Sequence, residues 1–538
     1  MKNRSKIVFL LALAAVVLSS CIERPTLGKT PVARILKSMT VDEKASLLVI
    51  EDKGDAVMST AGIARFAIPS VPFVTCNGTG LPDLISMERT WNLELAGKLG
   101  EYMAHESDSA CGNSIHSVLF CLDEVDTLVL SRQFAGAIVR GIDNSGSSAA
   151  VFHHAVRDTT LKAQFGPDVL LLAHCDNDGQ VIPALLAGND MLVSSNSHIA
   201  DTIVAAVRDG RLNITDLDRK LVGILEYLAA IGPSGNDTFD QDERSVLLDG
   251  YSSQSAVLLK NNSALPLGRN TDRIALYGLS AYCPSFSLNS AIQQAGYRLE
   301  PSVASMYRRH MTGTADSLIQ EDIKRKPFQL RADAIAAQTA VIVMGGESSF
   351  EPELVGNVCE AFHFKSRKVV LVLTDECGVQ PVPAADMADA VIIVRQADRR
   401  TANAIAGFIS GKLNPSGHLA RTIPQIPEYG FGNGRGYTSF SYTRPDVQVS
   451  GNRRTASVMV TNTGLYPGMD VVAVSLLHGQ EDGNRSLMTF GKTRILSPGE
   501  SQILEFPVTG PIMADEYRIE FSTADGLDAV STFIPIIQ

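Results

Sequence analysis

At 538 residues the chain exceeds what one hydrophobic core supports, so it divides into several domains. Hydrophobic residues at 45% and charged residues at 20% are those of an ordinary globular protein. The formal net charge of −11 argues against binding nucleic acid or an anionic membrane surface, since both require a basic face, and no Lys/Arg-rich run offsets that average.

The first residues read as a targeting segment. Lys2, Arg4 and Lys6 precede an apolar run from Ile7 to Leu18, followed by Leu18-Ser19-Ser20-Cys21. The run is too short to span a bilayer and fits the hydrophobic region of a signal peptide, residues 1–20. Its ending resembles a bacterial lipobox, in which the cysteine is lipidated and becomes the mature N-terminus, so Cys21 is the expected anchor. No later stretch is long and apolar enough for a transmembrane helix. Membrane association is therefore expected through the lipid alone, in a bacterial cell envelope. The remaining cysteines, Cys76, Cys111, Cys121, Cys175, Cys283, Cys359 and Cys377, contain no CxxC pair and no zinc spacing with histidine. No metal or other cofactor is expected.

After a linker (21–32), the segment 33–232 mixes buried strand runs with helical patterns. Thr40 and Glu43 form a capping-box pair at the start of a helix. Val71–Thr75 and Val169–Ala173 read as strands. Thr202–Ala206 and Leu217–Leu228 read as helices, the second capped by Thr215. Strands alternating with helices imply a parallel sheet. A polar linker (233–250) opens with Gly-Asn-Asp-Thr after Pro233 and Ser234. A second α/β block covers 251–425, with strands Ile274–Tyr277, Ala340–Met344, Val369–Leu373 and Ala390–Val394 and helices near 332–338 and 401–410, an interval that suits a doubly wound sheet. A connecting loop (426–446) leads to 447–538. There the short alternating runs Ala456–Val460, Val471–Leu477, Gln502–Phe506 and Tyr517–Phe521, separated by Gly- and Pro-containing turns, read as a β-sandwich.

Several motifs in order resemble glycoside hydrolase family 3. Ile35-Leu-Lys-Ser-Met-Thr-Val-Asp-Glu-Lys44 and Ala187-Gly-Asn-Asp-Met191 are similar to its barrel. Ser255-Ala-Val-Leu-Leu-Lys-Asn-Asn-Ser-Ala-Leu-Pro-Leu267 resembles the opening strand of its second domain. Leu413-Asn-Pro-Ser-Gly-His-Leu419 with Thr422-Ile-Pro424 resembles that domain's closing signature, and Phe431–Phe440 its following loop. Val460–Gly464 and Leu496–Glu500 resemble the appended fibronectin type III-like domain. The resemblance implies a TIM-like (β/α) barrel, then an α/β sandwich, then a fibronectin type III-like β-sandwich. The barrel is expected to be shortened, because 33–232 is at the lower limit for eight strand–helix units, where about 250 residues are typical. The activity implied is that of a retaining O-glycosyl hydrolase of β-glucosidase type. That chemistry uses an ionised and a protonated carboxyl about 5–5.5 Å apart.

This sequence departs from the pattern where the chemistry should be. Counting back from Ala187-Gly-Asn-Asp-Met191, the strand Val169–Ala173 ends at His174, so histidine stands where the resemblance implies an aspartate nucleophile. Asp176 is the nearest replacement, with Asp178 beyond it. In Val151-Phe-His-His154, Phe152 replaces a sugar-clamping lysine and His153 takes the place of its histidine. Asn77 replaces an aspartate that accepts from sugar hydroxyls, and a neutral amide does so without charge assistance. The arginine-rich stretch expected after Val118–Asp123 is missing. In the second domain Glu347, Glu351 and Glu353 are acid/base candidates, Glu347 first. A single tryptophan, Trp91, leaves few aromatic platforms for sugars. The expected function is a catalytically impaired family 3 homologue acting as a carbohydrate-binding or scaffolding lipoprotein. The alternative is an active glycosidase with carboxylates relocated to Asp176, Asp178 and Glu347.

Overall fold

The computed structural model describes residues 25–52, 57–75, 84–111, 117–122, 129–154, 158–166, 168–231, 240–268, 271–312, 325–345, 351–374, 385–395, 397–423, 429–451, 453–478, 485–508 and 517–533. Cys21, Asn77 and Glu347 lie outside them. Among the described residues, no helix is long and apolar enough to cross a membrane.

The chain divides into two compact units. The first is built on seven strands: β1 (Val49–Glu51), β2 (Val57–Ser59), β3 (Pro72–Thr75), β4 (Ser117–Leu122), β5 (Ala149–His153), β6 (Leu170–His174) and β7 (Met191–Ser194). They run in the order β1-β7-β6-β5-β4-β3-β2. All neighbours pair in parallel except β2, which is antiparallel to β3. β1 and β2 lie side by side without a hydrogen-bonded ladder between them, so the barrel is nearly closed and shortened as expected. The apolar runs in β6 and β7 are buried on both faces, the signature of a parallel sheet covered by helices. Thr40 and Glu43 close the expected capping box: the Glu43 amide donates to Thr40 Oγ1 at 3.2 Å and the Thr40 amide to Glu43 Oε2 at 2.8 Å. The helix Ile214–Ala230 is capped by Asn213, whose Oδ1 accepts from the Thr215 amide, rather than by Thr215 itself.

In the second unit, β8 (Val257–Asn261), β9 (Arg273–Tyr277), β10 (Arg298–Leu299), β11 (Thr339–Met344), β12 (Lys368–Thr374) and β13 (Ala390–Val394) form a sheet in the order β10-β9-β11-β12-β13-β8. Five strands are parallel, and β8 closes one edge antiparallel. A three-on-four β-sandwich follows. One sheet is β14 (Phe440–Ser450), β15 (Arg453–Asn462) and β18 (Ser501–Val508). The other orders β17 (Arg485–Lys492), β16 (Val471–His478), β19 (Tyr517–Ser522) and β20 (Ala529–Phe533). Val458, Val460, Val474, Phe506 and Phe521 fill the space between them.

Two features differ from the expected organisation. The stretch expected as linker runs into the helix Gln241–Ser255, nucleated by the Asp240 carboxylate and two acidic residues in its first turn. Its apolar face consists of little more than Leu247 and Tyr251, too few to give a periodic signal. Secondly, residues 83–96 and 128–134, which fall within the barrel in sequence, belong to the second unit. Trp91 packs there against Phe431 and Phe490, at 5.2 and 5.1 Å between ring centroids, and the His418 amide donates to the Arg89 carbonyl.

Candidate active site at the mouth of the barrel

Partnered residues of parallel strands point to the same side of the sheet, and successive residues to opposite sides. The register therefore places Leu119, Cys121, Ala150, Phe152, Leu172, His174 and Val193 on one face. This face lines the barrel interior, where Leu119, Ala150 and Leu172 are fully buried. Cys121, Phe152, His174 and Val193 form its C-terminal rim, the end at which (β/α) barrels place their chemistry.

Three rings cluster on that rim. Phe152 meets His154 edge-on at 5.2 Å and His174 at 6.0 Å, and the two imidazoles lie 4.9 Å apart. His174 Nδ1 is 3.2 Å from Asp176 Oδ1. Asp176 is 67% exposed, and its amide donates to Gln180 Oε1. The next residue, Asn177, caps the helix Asp178–Leu186. Asp178 occupies that helix's first turn, where its carboxylate accepts from Asn196 Nδ2 at 3.1 Å. Cys175 is buried, and burial with the nearby Asp176 charge pushes its thiol up to about 11, so it is an inert thiol rather than a nucleophile.

The structure brings His174 and Asp176 together but separates His153 from them. His153 sits on the opposite face of β5, 1% exposed, with Nε2 2.7 Å from Asn189 Oδ1. The Asn189 amide nitrogen donates to the Ala184 carbonyl, so its Oδ1 must accept from His153 Nε2–H. Burial lowers the pKa of His153 and keeps the ring neutral. Its Nδ1 is buried without a partner among the described residues. Glu353 is exposed on the helix Glu351–His363 of the second unit, and the side chain of Glu351 lies outside the described residues.

The Gly-Asn-Asp part of Ala187–Met191 has a framework role that sequence reasoning missed. Gly188 turns the chain at φ 109°, Asn189 holds His153, and Asp190 Oδ2 accepts from the Leu171 amide of β6 at 2.9 Å and from Lys162 Nζ at 2.6 Å. Lys220 Nζ donates to the Asn189 carbonyl at 2.9 Å. These bonds fix the relative heights of β5, β6 and β7, and so where His174 emerges. The signal available in sequence was a polar triplet wedged between two apolar runs.

A family model described as "Glycosyl hydrolase family 3 C-terminal domain" matches residues 256–467. The thermostable β-glucosidase B of Acetivibrio thermocellus is 22% identical over 88% of this chain and 82% of its own length. Residues 256–467 thus carry the family 3 C-terminal domain, and the chain as a whole is similar to the family's β-glucosidases. The periplasmic β-glucosidase of Salmonella typhimurium is 25% identical over 62% of this chain and 55% of its own. Among solved structures, β-glucosidase 3B from Thermotoga neapolitana, in complex with α-D-glucose, superposes with a TM-score of 0.74 at 19% identity, over 93% of this chain and 98% of that one. Within the matched segment, the closing signature of the second domain is a backbone clamp. Asn414 Oδ1 accepts from the Tyr437 amide at 2.7 Å and its Nδ2 donates to the Pro467 carbonyl at 3.0 Å. A Cβ at Gly417 would lie 2.5 Å from the Ala256 carbonyl oxygen, so only glycine fits.

Proposed function

We propose that this β-glucosidase-like family 3 protein is an exported, lipid-anchored member whose barrel engages carbohydrate without ordinary glycoside hydrolysis. One observation carries the reading: among the described residues, the inward rim positions of β4 to β7, Cys121, Phe152, His174 and Val193, include no carboxylate. A retaining mechanism needs an ionised carboxyl at that rim to attack the anomeric carbon and form a glycosyl ester. Phe152 has no donor for a sugar hydroxyl, and its ring occupies space beside His174. The signal-like N-terminus ending in Cys21 supports export and lipidation, and a periplasmic relative is consistent with it.

A second reading has its own support in the 3.2 Å pairing of exposed Asp176 with His174. Here the carboxylate has moved two residues along the chain and works with Glu347. Turnover of aryl β-glucosides by the full chain, compared with Asp176→Asn and Glu347→Gln, decides between them. Because uncatalysed glycoside hydrolysis is extremely slow, even a poor enzyme rises above background. No turnover by the wild type, with a melting temperature that increases on adding glucose or cellobiose, is the expected result. Turnover abolished by either substitution overturns it in favour of relocated carboxylates.

A further inference from the structure

Away from the barrel, the second unit contains a cleft of about 550 Å³, within the size range of small-molecule sites. Its floor is Asn414–His418 and one wall is Asn433–Gly436; loops at Met469–Asp470 and Thr523–Asp528 face them. The frame is rigid. Asn414 spends its whole amide on holding the chain. A Cβ at Gly434 would lie 2.3 Å from the Gly417 carbonyl oxygen and 2.8 Å from the His418 ring. Asp470 accepts from the Tyr442 hydroxyl at 2.6 Å.

The side chains that line this frame without serving it form a second set. Ser416 is 3% exposed, yet its hydroxyl has no partner among the described residues. The Arg435 amide is bonded to the Leu258 carbonyl, whereas no ion pair or hydrogen bond engages its guanidinium among the described residues. The same holds for the Asn433 amide, the Ser439 hydroxyl and the Asp528 carboxylate. His418 donates through Nδ1 to the Ser416 carbonyl, and burial drives its pKa down to about 4, leaving Nε2 as a neutral acceptor. Folded proteins satisfy their buried polar groups, so the idle Ser416 hydroxyl in a rigid cleft, with the exposed Arg435, Ser439 and Asp528 around it, points to something that brings hydrogen bonds of its own.

We propose that this cleft is a second ligand site, taking a neutral polyhydroxylated molecule of di- or trisaccharide size. Charge excludes the simple alternatives. Asp470, Asp525 and Asp528 line it and repel an anion, while the Arg435 guanidinium disfavours a cation. A hydroxyl donates once and accepts twice, so a ring of hydroxyls matches carboxylate acceptors, guanidinium and amide donors and the Ser416 hydroxyl together. The apolar lining from Leu259, Phe440 and Leu527 suits the C–H faces of such a molecule. The proposal is independent of whether the barrel hydrolyses or binds anything.

The test is calorimetric titration of the full chain with cellotriose, xylotriose and N-acetylchitotriose, repeated on Arg435→Ala, Asp528→Ala and His174→Ala. Neither Arg435 nor Asp528 has a side-chain hydrogen bond or ion pair to lose among the described residues, so both variants should melt like the wild type. Each removes a charge-assisted contact and should weaken binding of at least one sugar by tenfold or more, while His174→Ala leaves that binding intact. Binding lost in His174→Ala but kept in the two cleft variants places the sugar in the barrel and overturns the proposal. So does saturable binding of putrescine at the cleft in place of any sugar, and so does no binding of the three sugars.

Discussion

Replacing Phe490 by Ala strikes the packing that fastens residues 83–96 and 128–134 into the second unit. Phe490 is buried, and its ring meets Trp91 edge-on at 5.1 Å and stacks on Phe134 at 5.7 Å with an interplanar angle of 16°. Truncating a buried phenylalanine costs about 3–5 kcal/mol. With two ring pairs lost, each worth about 0.5–1.5 kcal/mol beyond area burial, the upper part of that range applies, about 4–5 kcal/mol. Trp91 is the chain's single tryptophan, so its emission reports on this spot without labelling. In a urea titration of the full chain, an m-value of about 3 kcal/mol/M lowers the midpoint by more than about 1 M. The folded-state emission shifts to the red as water reaches the indole. A midpoint moved by less than about 0.3 M on the same m-value, with unchanged emission, would refute the reasoning, because the ring could not then be packing as described.

Cys21→Ser should release the protein from the membrane to the soluble fraction, and mass spectrometry of the wild type should find a diacylglyceryl group on Cys21; a mature N-terminus elsewhere defeats this. Lys492 donates from Nζ to the Thr90 and Ser416 carbonyls at 2.7 Å each, and burial holds its pKa down at about 7 against an ordinary 10.5. The unfolded chain therefore binds one more proton than the folded chain between those values, so stability rises with pH across that window. Urea midpoints at pH 7 and 10 should show this rise in the wild type and a smaller one in Lys492→Met; equal slopes would remove Lys492 from the account. A fragment starting at residue 250 lacks the segments that cover Phe431 and Phe490. It should bind a hydrophobic dye and melt broadly, and a cooperative transition matching that of the full chain would contradict the packing.

The strands were legible because each is a short, continuous apolar run: Ala390–Val394 is buried at every position, and the three others expected in that sheet differ from the observed ones only at their ends. The helix Gln241–Ser255 escaped because its stability lies in a cap and a few contacts, not in an apolar stripe. At the candidate site, the placement of His174 at a strand end followed from counting residues. The outward position of His153 did not, because which parity faces inward depends on pairing with β4 and β6, and register between strands is not written in either strand alone. Asn189 and Asp190 look like turn residues in sequence, and only the bonds to His153 and Leu171 distinguish them. The attachment of residues 83–96 to the second unit rests on contacts with Phe431 and Phe490, too distant along the chain for any local pattern to announce.

That attachment also imposes a timetable on synthesis. Trp91 leaves the ribosome roughly 400 residues before Phe490, which at about 5–20 residues per second is ~20–80 s. For that interval the indole, Phe134 and the helix between Leu84 and Glu88 have been made but have no surface to settle on. The barrel's own strands are complete by residue 194, so they can pair while these two stretches hang loose, one between β3 and β4 and one between β4 and β5. Slowing elongation after residue 200 should prolong their susceptibility to a protease without affecting the barrel strands, and the last segment of the nascent chain to acquire protection should be one of the first to have been translated.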